Sequence, residues 1–125
     1  MPLPKPPEDS IIHRDRTLTV CLASYPIVTG HTVVVWNKPV RDLHLLSRRQ
    51  YERLMDVVDD VRDALIKALK VRKVYLLYMD EANHVHWHLI PRYDVKGFTL
   101  LAHKPSRLRD FSLAKKVRAK LKIRK

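Results

Sequence analysis

Hydrophobic and polar positions along the chain follow two periods, one of strands and one of a long helix. The run Thr17, Leu18, Thr19, Val20, Cys21 and Leu22 is rich in β-branched and apolar residues, the composition of a half-buried strand. It predicts a hairpin: a short strand over residues 11–14, a turn at Asp15 and Arg16, and a second strand to about Ala23. Tyr25 and Pro26 open a loop, and Gly30 supplies backbone freedom before a strand over residues 31–36, which Asn37, Lys38 and Pro39 end. Ser47 followed by Gln50 has the form of a capping box. Behind it Tyr51, Leu54, Val58, Val61, Leu65 and Leu69 recur at steps of three and four, with Glu52, Asp56, Asp59, Asp63 and Lys67 opposite. That is a long helix with one face on a core.

Residues 71–79 are apolar and β-branched enough for a central strand, and Asp80, Glu81, Ala82 and Asn83 make a tight connection to a strand returning through residues 84–92. Residues 98–102 read as a short extended piece beside Gly97. Asp110 or Ser106 caps a final helix with Phe111, Ala114, Val117 and Leu121 on one side and Lys115, Lys116, Arg118, Lys122 and Arg124 around the rest. The predicted fold is α+β: a five-stranded, mostly antiparallel sheet, one long helix packed on it, and a basic C-terminal helix.

Length and composition then set limits. A chain of 125 residues suits one domain, here divided as an arm over 1–10, a central domain over 11–103 and a tail over 104–125. The arm holds four of the eight prolines and is expected to be extended and poorly ordered. No run of 18 apolar residues occurs, so no membrane span is expected; the start lacks an apolar h-region, so no secretory signal is expected either. The lone Cys21 allows no internal disulfide, and a reducing cytoplasm is the default location. Charge changes the picture more. Lys and Arg number 25 against 13 Asp and Glu, a net +12. From Lys104 onward there are ten basic residues and one acidic, so 10 − 1 = +9 of that excess lies in the tail. Polyanionic partners are favoured, nucleic acid among them. The tail helix is expected to dock on its own domain or on a second copy, with contact to nucleic acid or an anionic membrane surface as the alternative.

The chemistry gathers in residues 84–92. On a strand, His84, His86 and His88 share one face, while Val85, Trp87 and Leu89 share the other. A single zinc ion is a poor fit to all three, since same-face neighbours stand ~6.6 Å apart along a strand and zinc needs every nitrogen within ~2.1 Å. The row suits an elongated ligand such as a phosphate chain with its leaving group. One imidazole attacks phosphorus while a neighbour attends the departing oxygen.

The order His84-Val85-His86-Trp87-His88-Leu89-Ile90 resembles the His-Φ-His-Φ-His-Φ-Φ signature (Φ, hydrophobic) of the histidine triad superfamily of nucleotide hydrolases and transferases. Pro91-Arg92 is similar to its dinucleoside-polyphosphate hydrolase branch, and the segment from Pro26 to Gly30-His31 resembles the superfamily's Pro-x-x-x-Gly-His approach to a strand. The resemblance implies that His86 attacks the α-phosphorus to form a covalent nucleotidyl-imidazole, with the neutral form of imidazole required. The central place of His86, with a same-face histidine on each side, agrees. His88 is implied to hold the phosphate and protonate the leaving group, His84 to orient its neighbours, and His31 to close the polar cluster from the adjacent strand. Ile11, Ile12, Leu22, Ala23 and Ser24 fall at the places of the base pocket. Two positions depart from the pattern. Ala23 stands where an acid or amide usually binds ribose hydroxyls, and the phosphate-contacting segment before the triad is shortened to residues 80–83, leaving Asn83 to offer an amide.

The expected activity is cleavage at the α-phosphate of dinucleoside polyphosphates or nucleoside phosphoramidates, on a purine nucleotide, by a homodimer that needs no metal or other cofactor. Two alternatives stand beside it: a metal-dependent hydrolase using two of the histidines, and a non-catalytic module that binds nucleotide or nucleic acid.

Overall fold

A computed structural model describes residues 3–123; the first two residues of the arm and the last two of the tail, Arg124 among them, lie outside the described residues. Five strands, β1 (Ile11–Arg14), β2 (Leu18–Leu22), β3 (Thr32–Trp36), β4 (Lys73–Tyr78) and β5 (His86–Arg92), form one sheet in the order β1-β2-β3-β5-β4 with every pairing antiparallel. The predicted hairpin, strands and sheet class are present, but β4, expected to be central, lies at an edge as β1 does: only Val74 of its six residues is buried, and β5 takes the interior place.

Helix α1 (Arg48–Leu69) starts at the predicted capping box, in which the Ser47 hydroxyl accepts the Gln50 N–H and the Gln50 side chain accepts the Ser47 N–H. It buries Leu54, Val57, Val58, Val61, Ala64, Leu65 and Ala68 against Leu18, Val20, Leu22, Val34, Trp36 and Leu89 of the sheet. Each such apolar side chain contributes roughly 1.5–3 kcal/mol relative to exposure. Tyr51 is not part of that stripe. It stays 42% exposed, because the buried face begins one turn later, at Leu54.

Gly30 sets the approach to β3. Its φ of +87° is left-handed, and a Cβ there would stand 2.6 Å from Leu69 Cδ1 at the end of α1. Only glycine lets the chain pass so close and still deliver His31 to the sheet.

Residues 97–101 are helical, not extended: α2 (Gly97–Leu101) follows Gly97 at φ +63°. The Ala102 and His103 N–H groups bond back to Phe98 and Leu100 carbonyls. One turn suffices to bury Leu100, the sole buried residue of α2. Helix α3 (Leu113–Lys120) begins after Ser112, and Asp110 accepts the Ser112 N–H just ahead of it. Ala114 and Val117 are buried in the common core, and Arg118 donates from Nε to the Ile12 carbonyl at 2.9 Å and from Nη2 to that of Ile11. The tail helix thus docks on α1 and β1 of its own domain. Among the described residues no helix is long and apolar enough to cross a membrane.

Gly30→Ala places a side chain at a strained φ and displaces the Leu69 methyl, so it should lower stability by about 1–3 kcal/mol. Urea denaturation of the two proteins measures this; an unchanged midpoint would contradict the close approach.

Candidate active site

The core dictates which way the histidines face. On β5 Leu89 is fully buried beneath α1 and Trp87 packs against that core, so His86 and His88 project from the opposite face. Their antiparallel partners Val35 and Val33 project the same way, as do Thr19 and Cys21 beyond them. A cavity of ≈ 480 Å³ lies over this face, and its walls include His31, His84, His86 and His88. His84 is not on the strand: β5 begins at His86. The chain crosses beside residues 36–40 instead, with the Val85 N–H on the Val40 carbonyl and the Trp36 N–H on that of Val85.

Hydrogen bonds define the tautomer of every ring. A carbonyl only accepts and a backbone N–H only donates. His84 therefore donates from Nε2 to the Trp36 carbonyl, and His86 donates from Nδ1 to the His84 carbonyl at 2.7 Å. The Nε2 lone pair of His86 is left directed away from the backbone. His31 accepts the Ile27 N–H at Nδ1 (3.0 Å), so its proton sits on Nε2 and is donated to His88 Nδ1 at 2.9 Å. His88 must then carry its own proton on Nε2. The rings of His86 and His88 stand edge-on, 5.0 Å apart at 74°. A nucleophilic nitrogen and an N–H donor are thus presented side by side.

Burial keeps His31 and His88 neutral. Burial, and secondarily the neighbouring His88, pushes the His31 pKa down to about 4; burial, and secondarily His86, pushes His88 down to about 4. In the cavity floor burial raises the Cys21 thiol to about 11. Among the described residues no Asp or Glu lines the cavity. Among the described residues no three His, Cys, Asp or Glu side chains are grouped to hold a metal ion.

A family model described as HIT domain matches residues 5–95. The chain belongs to the HIT family. Proteins of this family are generally nucleotide-binding hydrolases or transferases, with non-catalytic members among them. Solved structures share the fold. A histidine triad nucleotide-binding protein from Sulfolobus tokodaii is 22% identical with a TM-score of 0.72, covering 89% of this chain and 82% of that one. A histidine triad protein from Sinorhizobium meliloti is 15% identical with a TM-score of 0.77, covering 89% and 88%. A zinc-bound histidine triad family protein from Mycobacterium smegmatis is 22% identical with a TM-score of 0.70, covering 88% and 81%. No curated protein matches the chain.

Of the HIT positions singled out in the sequence, Leu22, Ala23 and Ser24 line the cavity together with the four histidines. Ile12 lies in the core with α1, Ile11 is buried outside the cavity wall, and Asn83 sits exposed in the turn at φ +54° with its N–H on the Asp80 carbonyl. The sequence reading did not anticipate Thr19, Cys21, Val33, Val35 and Asn37, which the alternation of β2 and β3 places on the histidine face or beside it. Nor did it anticipate Leu3, Pro4, Lys5 and Pro6, which wall the cavity from the arm.

The neutral pair carries a stability signature. Unfolded imidazoles titrate near ~6.5, whereas His31 and His88 resist protonation until about pH 4. Between those values the unfolded state binds more protons, so stability falls as pH drops from 6.5 to 4. The urea midpoint followed over that range should decline, and His31→Gln should flatten the decline. An equal slope in the variant would place the titration elsewhere.

Proposed function

We propose that the protein is a nucleotide hydrolase or transferase that cleaves at an α-phosphate through a covalent nucleotidyl-His86 intermediate. The observation that carries this is the hydrogen bond from His86 Nδ1 to the His84 carbonyl. It frees Nε2 as nucleophile and gives the cation that forms on attack a fixed acceptor, the role an orienting carboxylate has in a hydrolytic triad.

In the first step the Nε2 lone pair forms a bond to phosphorus and the bond from phosphorus to the leaving group breaks, with its electron pair leaving on that group. His88 Nε2–H hydrogen-bonds the oxygen where charge builds. His84, held on Trp36, keeps the backbone of the acceptor in place. In the second step water forms a bond to phosphorus, the P–Nε2 bond returns its electrons to His86, and one proton of the water goes to solvent. A phosphate chain departs as a stable oxyanion, for which a neutral donor suffices; an amine must take a proton from solvent as it leaves, which the proton released in the second step replaces. This favours dinucleoside polyphosphates, with nucleoside phosphoramidates as the second class. The apolar walls at Leu22, Val33 and Val35 suit a purine.

The same reading extends to assembly. As a homodimer the chain would join through β4, the sheet edge bearing exposed Leu76, with Met79 just beyond it. The exposed Lys115, Lys116, Lys120 and Lys122 of the tail are its surface for polyanions such as nucleic acid.

Replacing His86 with Ala should reduce turnover of diadenosine polyphosphate and of adenosine 5′-phosphoramidate by at least about 10³-fold, the scale of losing a covalent catalyst. Denaturation in alkali, where a P–N bond to imidazole survives, should trap a labelled nucleotidyl-protein only in the wild type. Retention of a tenth of the rate would end the nucleophile assignment. Dialysis against a chelator should leave phosphoramidate turnover intact, and loss restored by stoichiometric zinc would instead support a two-histidine metal site.

A further inference from the structure

The end of the cavity away from the histidines is cationic, and a plain nucleotide gives no reason for it. Arg14, Thr19, Val35 and His86 are successive register partners across β1, β2, β3 and β5. Partners share a face, so Arg14 and His86 stand on the same side of the sheet, three strand spacings or ~14 Å apart between Cα atoms. Both line the cavity, and Lys5 joins Arg14 there from the arm. Among the described residues these are, apart from histidines, the only ionisable cations in its wall, and none of those residues is a carboxylate.

The floor between the two ends offers little to a sugar. Thr19 Oγ1 donates to Asn37 Oδ1, and Asn37 Nδ2 donates to the Asp15 carbonyl, so each side chain already has a partner within the protein. Val33, Val35 and Cys21 are apolar, and Ala23 has no acceptor for ribose hydroxyls. Glu8, outside the cavity wall, holds Arg14 by two bonds of 3.0 and 2.9 Å. It fastens the arm to β1 and keeps the guanidinium at the rim; the pair is exposed to water and therefore weak, so a phosphate can compete with Glu8 for the guanidinium.

We infer that Lys5 and Arg14 select substrates carrying a second phosphate on the sugar, away from the phosphorus that His86 attacks. This rests on the nucleotide reading above. The shared chemistry is a 3′-linked phosphate, whether as a free monoester or as the first phosphodiester of an oligonucleotide.

Calorimetry on the full chain at low salt, with three ligands, tests it. Adenosine 3′,5′-bisphosphate should bind about tenfold more tightly than adenosine 5′-monophosphate, the sum expected of two exposed charge pairs. The 5′-phosphorylated dinucleotide pApA identifies the source: tighter binding than the bisphosphate points to a strand end, weaker binding to a free monoester. The Lys5→Ala/Arg14→Ala double variant should bring the bisphosphate-to-monophosphate ratio to about 1, and Lys5→Arg/Arg14→Lys should restore it. Monophosphate binding with no preference in the wild type, or a preference that survives the alanine pair, overturns the inference while leaving the nucleotide reading intact. Failure of all three ligands to bind removes both.

Discussion

Burial of one face of the sheet beneath α1 is the constraint on which everything else depends. Strand side chains alternate, so seating Leu89 in the core leaves no choice about His86 and His88. The same rule turns Val33 and Val35 of β3 toward the histidines by burying Val34 and Trp36. A slip of one residue in the pairing of β3 and β5 would place imidazoles in the core and apolar groups in the cavity. The hydrophobic energy of the domain therefore enforces the register of its chemistry. Gly30 extends the same control to His31, by letting the chain pass the end of α1 at van der Waals range.

Within that frame the backbone, more than other side chains, assigns the roles of the rings. The Ile27 N–H and the carbonyls of Trp36 and His84 decide which nitrogen of each imidazole bears a proton. Backbone groups cannot titrate or rotate away, so the proton on His31 Nε2 and its acceptor at His88 Nδ1 stay in place while those two rings are neutral.

The sequence exposed those features that repeat. The strands, the capping box at Ser47 and Gln50, and the histidine row all follow short periods or local spacing, and each is found where the pattern put it to within a few residues. The walls of the cavity were legible only in part. Thr19, Cys21, Val33 and Val35 could have been placed by extending the alternation that placed the histidines. Leu3, Pro4 and Lys5 could not, because a proline-rich arm has no period and its path is set by Glu8 gripping Arg14. Residues 98–102 look extended by composition, yet one positive φ at Gly97 and the burial of Leu100 make them helical. Hydrogen bonds from Ile27 or to Trp36 leave no trace in side-chain identity.

The capping of β1 by Arg118 has a consequence for how copies of the chain can meet. A sheet with two bare edges can add strands at both ends and grow without limit. Here the guanidinium occupies the Ile11 and Ile12 carbonyls, and the arm and α3 crowd that side. β4 forms the opposite edge. Association through a single self-complementary edge closes at two copies about a two-fold axis, whereas two open edges would propagate a fibre. One arginine on a short C-terminal helix thus makes the two edges of the sheet unequal.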